Sequence, residues 1–136
     1  MAKRGLFIVL EGIDGSGTTT NANMLVEWLK GRKVKAYMTS EPTRGPIGMF
    51  IRKNLSSGDL NNPILDTLLF AADRAWHLTY EVEPKLREGY VVVSDRYVES
   101  SIAYQGAQGA DVDWILKVNE SFLKPDLTVI LDIDPS

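Results

Sequence analysis

An apolar run, Leu6-Phe7-Ile8-Val9-Leu10, passes through Glu11 into Gly12-Ile13-Asp14-Gly15-Ser16-Gly17-Thr18-Thr19-Thr20, and a helical pattern with Ala22, Leu25, Trp28 and Leu29 on one face follows. Strand, glycine loop and helix in this order leave few folds open. Glycines at 12, 15 and 17 let backbone N–H groups turn inward at a helix N-terminus, which makes a cradle for phosphate oxygens. The spacing is that of G-x-x-x-x-G-K-[ST], except that Thr18 stands at the lysine position. The cradle is kept and the ammonium that neutralises a transferring phosphoryl group is absent. Thr19 and Thr20 still offer hydroxyls to Mg²⁺. Without a ligand, the same residues would serve as a tight turn between strand and helix.

Further β-branched runs lie at 34–39, 90–94 and 127–133, and helical patterns near 46–56, 63–87, 98–105 and 111–123. Near-continuous apolar strands alternating with helices predict a parallel sheet covered on both faces, an α/β domain spanning residues 1–136 without repeat or linker. Hydrophobic residues at 44% of 136 suffice for a real core. The formal charge of -3 is spread without a basic stripe, so any nucleotide partner is expected to be a small molecule and not a nucleic-acid polymer. The absence of cysteine excludes disulfides and thiolate metal sites and fits a cytoplasmic setting. The apolar run ending at Glu11 is too short for a signal peptide, and no stretch is long enough to span a membrane.

Two places look chemical. In the pattern over 63–87, Leu65, Leu69, Ala72 and Trp76 fall on one stripe, expected to face the core, and Phe70, Arg74 and His77 fall opposite. An aromatic and a guanidinium there suit a flat polar heterocycle, Phe70 by stacking and Arg74 by hydrogen-bonding its edge. They would equally serve as a solvated face carrying one stray phenylalanine. The second place is Ser94-Asp95-Arg96-Tyr97, where three valines end in a carboxylate and a guanidinium at the carboxyl end of a strand, the edge at which open parallel sheets bind ligands. Asp95 can hold Mg²⁺ and Arg96 can grip a phosphate. The alternative is an ion pair that caps the next helix.

Taken with Glu41-Pro42-Thr43, Leu68-Leu69-Phe70-Ala71-Ala72-Asp73-Arg74, Ala103-Tyr104-Gln105-Gly106 and Pro125-Asp126-Leu127, these blocks resemble the thymidylate kinase family in order and spacing, from Gly5 to Pro135. The resemblance implies a P-loop kinase that moves the γ-phosphoryl of ATP, as its Mg²⁺ complex, onto dTMP. It implies donor binding by Gly12, Ile13, Asp14, Gly15, Ser16, Gly17, Thr18, Thr19 and Thr20, and metal held by Thr19 and Asp95. Catalytic roles would go to Asp14, Asp95 and Arg96. Phe70 would stack on thymine and Arg74 hydrogen-bond it, while Arg96, with Arg44 and Arg52, would hold the acceptor phosphate. Tyr104 would crowd the sugar 2′ position, and Ser101 and Gln105 would line the pocket.

The chain departs from the family at three points. Thr18 replaces the lysine, which predicts impaired transfer and leaves open a nucleotide-binding protein without useful catalysis. The chain stops at Ser136, just after the fourth strand, where the family continues through a lid, another strand and a helix; a fragment is therefore expected, with its fourth strand an exposed edge. Asn21 takes a place where the family often has glutamine. A kinase for another small substrate, such as a deoxynucleoside, is the remaining alternative. His77 is expected on the pocket wall or in solvent, because an ionised acceptor phosphate needs no general base. A homodimer packed through helices would follow from the resemblance alone.

Overall fold

The computed structural model describes residues 4–13, 15–59 and 61–132. Four parallel strands form a sheet in the order β2-β3-β1-β4: β1 (Phe7–Gly12), β2 (Ala36–Ser40), β3 (Val91–Asp95) and β4 (Leu127–Leu131). The first strand is therefore central, with Leu10 beside Asp95 on one side and Val129 on the other. That register brings the phosphate loop after β1 next to the carboxyl end of β3. Both belong to one edge of the sheet, where parallel sheets place their chemistry.

Alternation along the strands divides the core in two, since successive side chains of a strand face opposite ways. Phe7, Val9 and Val92 pack with Leu78, Val82, Leu86 and Tyr97 on one face; Leu10 and Val93 pack with Ala22 and Val26 on the other. Helix α1 (Thr18–Gly31) covers the second face. The first face takes the helical stretch 63–87, in which α3 (Pro63–His77) runs through a π-helical turn, Leu78–Val82, into α4 (Glu83–Arg87), and also α5 (Val98–Ala107). Helices α2 (Pro46–Ser56) and α6 (Val112–Asn119) complete the chain. The α/β reading and every expected element stand, with α6 ending earlier than the pattern over 111–123 predicted.

The face assigned to the long helix is reversed. Residues buried on α3 are Asp66, Thr67, Ala71, Asp73, Arg74 and His77, while Leu65 and Leu68 are about half exposed and Ala72 is exposed. Hydrophobicity misleads here because Asp73, Arg74 and His77 find buried partners, which removes the penalty of taking them out of water. His77 is fully buried and so is not in solvent. On α1, Trp28 is likewise exposed and lies under the Arg32 guanidinium, 4.5 Å from its ring centre, while Val26 takes the core position.

Candidate nucleotide site

The loop between β1 and α1 is shaped by its glycines. Gly17 precedes the first helical residue with φ +89°, a conformation that a β-carbon disfavours. At Gly12 the constraint is space: a β-carbon would lie 2.4 Å from Ser16 Oγ and 2.9 Å from the Leu131 carbonyl oxygen. The chain closes with Ser16 N–H donating to the Ile13 carbonyl (3.0 Å), and Asn21 Nδ2 donates back to the Gly17 carbonyl (2.9 Å). Thr18 is the first residue of α1 and 4% exposed; Asp14 lies outside the described residues.

Beside the loop, Thr19 Oγ1 donates to Asp95 Oδ2 at 2.5 Å. The second carboxylate oxygen, Asp95 Oδ1, is buried without a hydrogen-bond partner, as is Ser16 Oγ. A carboxylate with one unmatched oxygen next to a threonine hydroxyl fits a hard cation that completes its shell with water and phosphate. No group of three or more metal-ligating side chains occurs among the described residues. Mg²⁺ sites at phosphates draw on few protein ligands, of the kinds that a carboxylate and a hydroxyl offer.

Thr19 and Asp95 open onto a polar cleft of about 660 Å³ whose walls include Ser40, Arg44, Arg52 and Arg96. Arg96 holds a left-handed backbone (φ +78°), unusual for a non-glycine residue, and donates from Nη1 to the Gly12 carbonyl (2.8 Å) and to Ser100 Oγ (3.3 Å). Ser100 Oγ in turn donates to Glu11 Oε1 at 2.5 Å, and Glu11 Oε2 accepts the Tyr97 backbone N–H at 3.0 Å. Burial holds the Glu11 carboxyl above its ordinary range, opposed by these bonds. Arg44 is exposed at the cleft rim. Arg52 donates to Ser40 Oγ (3.3 Å) and to the Thr43 (3.2 Å) and Pro42 carbonyls, so it braces the 40–43 loop as well as lining the cleft.

A second cavity, about 350 Å³, shares Arg96, Glu41 and Pro42 with the cleft and adds Phe70, Arg74, Ser101, Tyr104 and Gln105. Phe70 and Tyr104 stand with ring centres 6.3 Å apart at its mouth. Arg74 closes its inner end, 1% exposed: Nε donates to Glu41 Oε1 (2.8 Å), Nη1 to Asn119 Oδ1 (2.5 Å), and Nη2 to Ser101 Oγ (3.0 Å) and the Tyr97 carbonyl (3.2 Å). Gln105 is fully buried with both amide atoms unpartnered. Buried amides are normally satisfied, so an unmatched donor and acceptor in a cavity wall ask for a ligand edge carrying both.

A model of the thymidylate kinase family matches residues 10–136. The chain belongs to that family. It is 50% identical over 131 residues to a probable thymidylate kinase of Pyrobaculum calidifontis, covering 96% of this chain and 66% of that protein. A probable thymidylate kinase of Pyrococcus horikoshii is 45% identical over 135 residues, again 96% of this chain and 66% of the relative. The crystal structure of thymidylate kinase from Ehrlichia chaffeensis matches with a TM-score of 0.87 at 34% identity, covering 96% of this chain and 74% of that one. The chain thus spans about two thirds of the length of the curated relatives it matches.

Within this family fold the structure gathers Phe70, Arg74, Arg96, Ser101, Tyr104 and Gln105 around one cavity and Thr19, Arg44, Arg52, Asp95 and Arg96 around the next. Sequence reasoning missed Glu11, Glu41, Asp73, Ser100 and Asn119, which hold these side chains in place. Glu11 had a visible signal, a carboxylate at the end of an apolar strand. Asp73 had none: its Oδ1 and Oδ2 accept the Thr43 hydroxyl (2.7 Å) and N–H (2.8 Å), and burial raises its carboxyl above the ordinary range.

Proposed function

We propose that this chain binds dTMP in the 350 Å³ cavity and phosphorylates it with the Mg²⁺ complex of ATP, giving dTDP and ADP. One observation carries the reading: Gln105, buried with a free donor and a free acceptor, lies on the same cavity wall as Arg74. Thymine offers a matching edge, with its N3–H donor flanked by two carbonyl acceptors. Arg74 bears only donors, which suits the thymine 4-oxo group and opposes the 4-amino group of cytosine. Phe70 covers the ring face, and Tyr104 stands by the sugar.

Arg96, on the wall common to both cavities, orients the acceptor phosphate, with Arg44 at the rim. The loop between β1 and α1, with Ser16, Gly17, Thr18 and Thr19, receives the donor phosphates. Thr19 and Asp95 would hold Mg²⁺, which when bound neutralises charge on the transferring group. The acceptor oxygen forms its bond to the γ-phosphorus as the bond to the β,γ-bridging oxygen breaks, and ADP leaves with that electron pair. No covalent enzyme intermediate and no general base are required, so positioning carries the catalysis.

Isothermal calorimetry with this chain is the direct test. Heat should follow addition of dTMP, with dCMP bound at least about tenfold more weakly. No heat with dTMP would sink the assignment.

A second reading rests on Thr18, which leaves the loop without an ammonium: the chain binds nucleotides but transfers phosphate poorly. In a coupled ADP-release assay Thr18→Lys should raise turnover about 10²- to 10³-fold, the usual effect of one preorganised charge. Equal turnover in both forms would mean that another cation already fills the role.

A further inference from the structure

Arg74 is held by a buried chain of side chains that reaches beyond the cavity. Glu41 Oε1 takes the Arg74 guanidinium at Nε and Nη2, both at 2.8 Å, and Glu41 Oε2 lies 2.8 Å from His77 Nδ1. A carboxylate only accepts, so Nδ1 carries the proton and donates it to Glu41. The other ring nitrogen, Nε2, is 2.6 Å from Thr39 Oγ1, and that hydroxyl also lies 3.0 Å from Glu81 Oε2, which accepts Tyr37 Oη–H at 3.0 Å. Arg74, Glu41 and His77 are each 6% exposed or less. A buried ion pair held by several hydrogen bonds at once keeps its geometry, because each departure leaves charge out of water with fewer partners.

Donor counting on Arg74 shows what that geometry is for. Guanidinium has five N–H groups. Nε–H goes to Glu41, the two Nη2 hydrogens are shared among Glu41, Ser101 and the Tyr97 carbonyl, and one Nη1 hydrogen goes to Asn119. The other Nη1 hydrogen has no acceptor among the described residues, and Arg74 lines the cavity. Its direction is set by the plane of the guanidinium, and that plane by Glu41.

We infer that Glu41 and His77 are positioning residues that fix the Arg74 guanidinium so that its remaining Nη1 donor reads the 4-substituent of the pyrimidine, making the buried Glu41–His77 pair a determinant of selection between 4-oxo and 4-amino bases. The inference rests on the dTMP reading above. It assigns a task to the one histidine, which phosphoryl transfer does not use. It also accounts for an imidazole at zero exposure.

Calorimetric titration with dTMP and with dCMP reads the selectivity as a ratio of dissociation constants, and thermal melting of the same samples reports folding. Glu41→Gln keeps the shape, removes the charge and substitutes a donor for one acceptor oxygen; the ratio should fall about tenfold or more, mainly through tighter dCMP binding. His77 allows a sharper pair of variants. The amide nitrogen of asparagine is as many bonds from Cβ as Nδ1, and that of glutamine as many as Nε2. His77→Asn should therefore keep the donor to Glu41 and most of the ratio, while His77→Gln should lose both. A merely structural histidine would lower the melting temperature in both variants and leave the ratio alone; that result overturns the inference, as does an unchanged ratio in folded Glu41→Gln. If Glu41→Gln does not fold, the His77 pair decides. Failure of the unsubstituted chain to bind dTMP would instead strike the underlying reading.

Discussion

The two ends of the site are made of different materials. The end between β1 and α1, proposed to take the donor phosphates, is shaped by backbone: Gly15 and Gly17 hold positive φ (+81° and +89°), and Gly12 leaves no room for a β-carbon. The acceptor end is side chain: Arg74, Glu41, His77, Ser101, Gln105 and Asn119 arrive from separate elements and are buried together. A backbone cradle depends on space and dihedral angle and tolerates altered charge, so Thr18 can replace lysine without dismantling it. A cluster of buried polar side chains depends on every partner, so removing one exposes the rest.

The contrast is broken most forcefully at Arg74. Arg74→Met leaves Glu41 buried without its cation, and chemical denaturation should show a loss of about 3–5 kcal/mol together with loss of dTMP binding. A loss below about 1 kcal/mol would mean that the cluster is not the anchor described. Smaller and more local is Gly12→Ala, whose β-carbon must displace Ser16 Oγ and the Leu131 carbonyl. Such overpacking costs about 1–3 kcal/mol. The substitution should weaken ADP binding more than dTMP binding, and equal weakening of both would show that the two ends do not differ in this respect. Smallest is Asp126→Asn. The Phe7 N–H (2.7 Å), and then Arg4 (3.1 Å), hold the Asp126 carboxyl below its ordinary value of 3.8. A lowered folded value means stability present above that pH and lost as pH falls through the acid range. Wild type should therefore lose somewhat more stability than the variant between pH 7 and pH 3 in urea denaturation. The difference should stay under about 1 kcal/mol, because the carboxylate is 37% exposed. Glu11 and Asp73 act in the opposite sense: their raised carboxyls weaken the fold as pH climbs out of the acid range.

Legibility followed the same division. Strand, glycine loop and helix are local, so β1, the loop and α1 could be read residue by residue, and three valines ending in Asp95-Arg96 announced the carboxyl edge of β3. The α3 faces could not. Periodicity assumes that apolar residues mark the inside. On α3 the buried stripe holds Asp66, Asp73, Arg74 and His77, whose partners lie tens of positions away in sequence, and Leu65 and Leu68 stay outside. The elements were visible because their causes are nearby. The acceptor pocket was visible only as a likeness to a family, because Glu41, Asn119 and Tyr97 are brought to Arg74 by the folded chain and by nothing local.

Glu11 joins the two ends. It sits one residue before the loop, and its carboxylate receives the first amides of α5, from Tyr97 and Ser100, together with the Ser100 hydroxyl. That helix begins without a capping side chain of its own, so a residue on another strand supplies the missing acceptor. The same helix carries Ser101, Tyr104 and Gln105. Glu11 therefore works as a tie rod: any shift of the cradle that drags β1 along must either pull the start of α5 with it or snap three hydrogen bonds, so neither half of the site can drift without the other registering the strain.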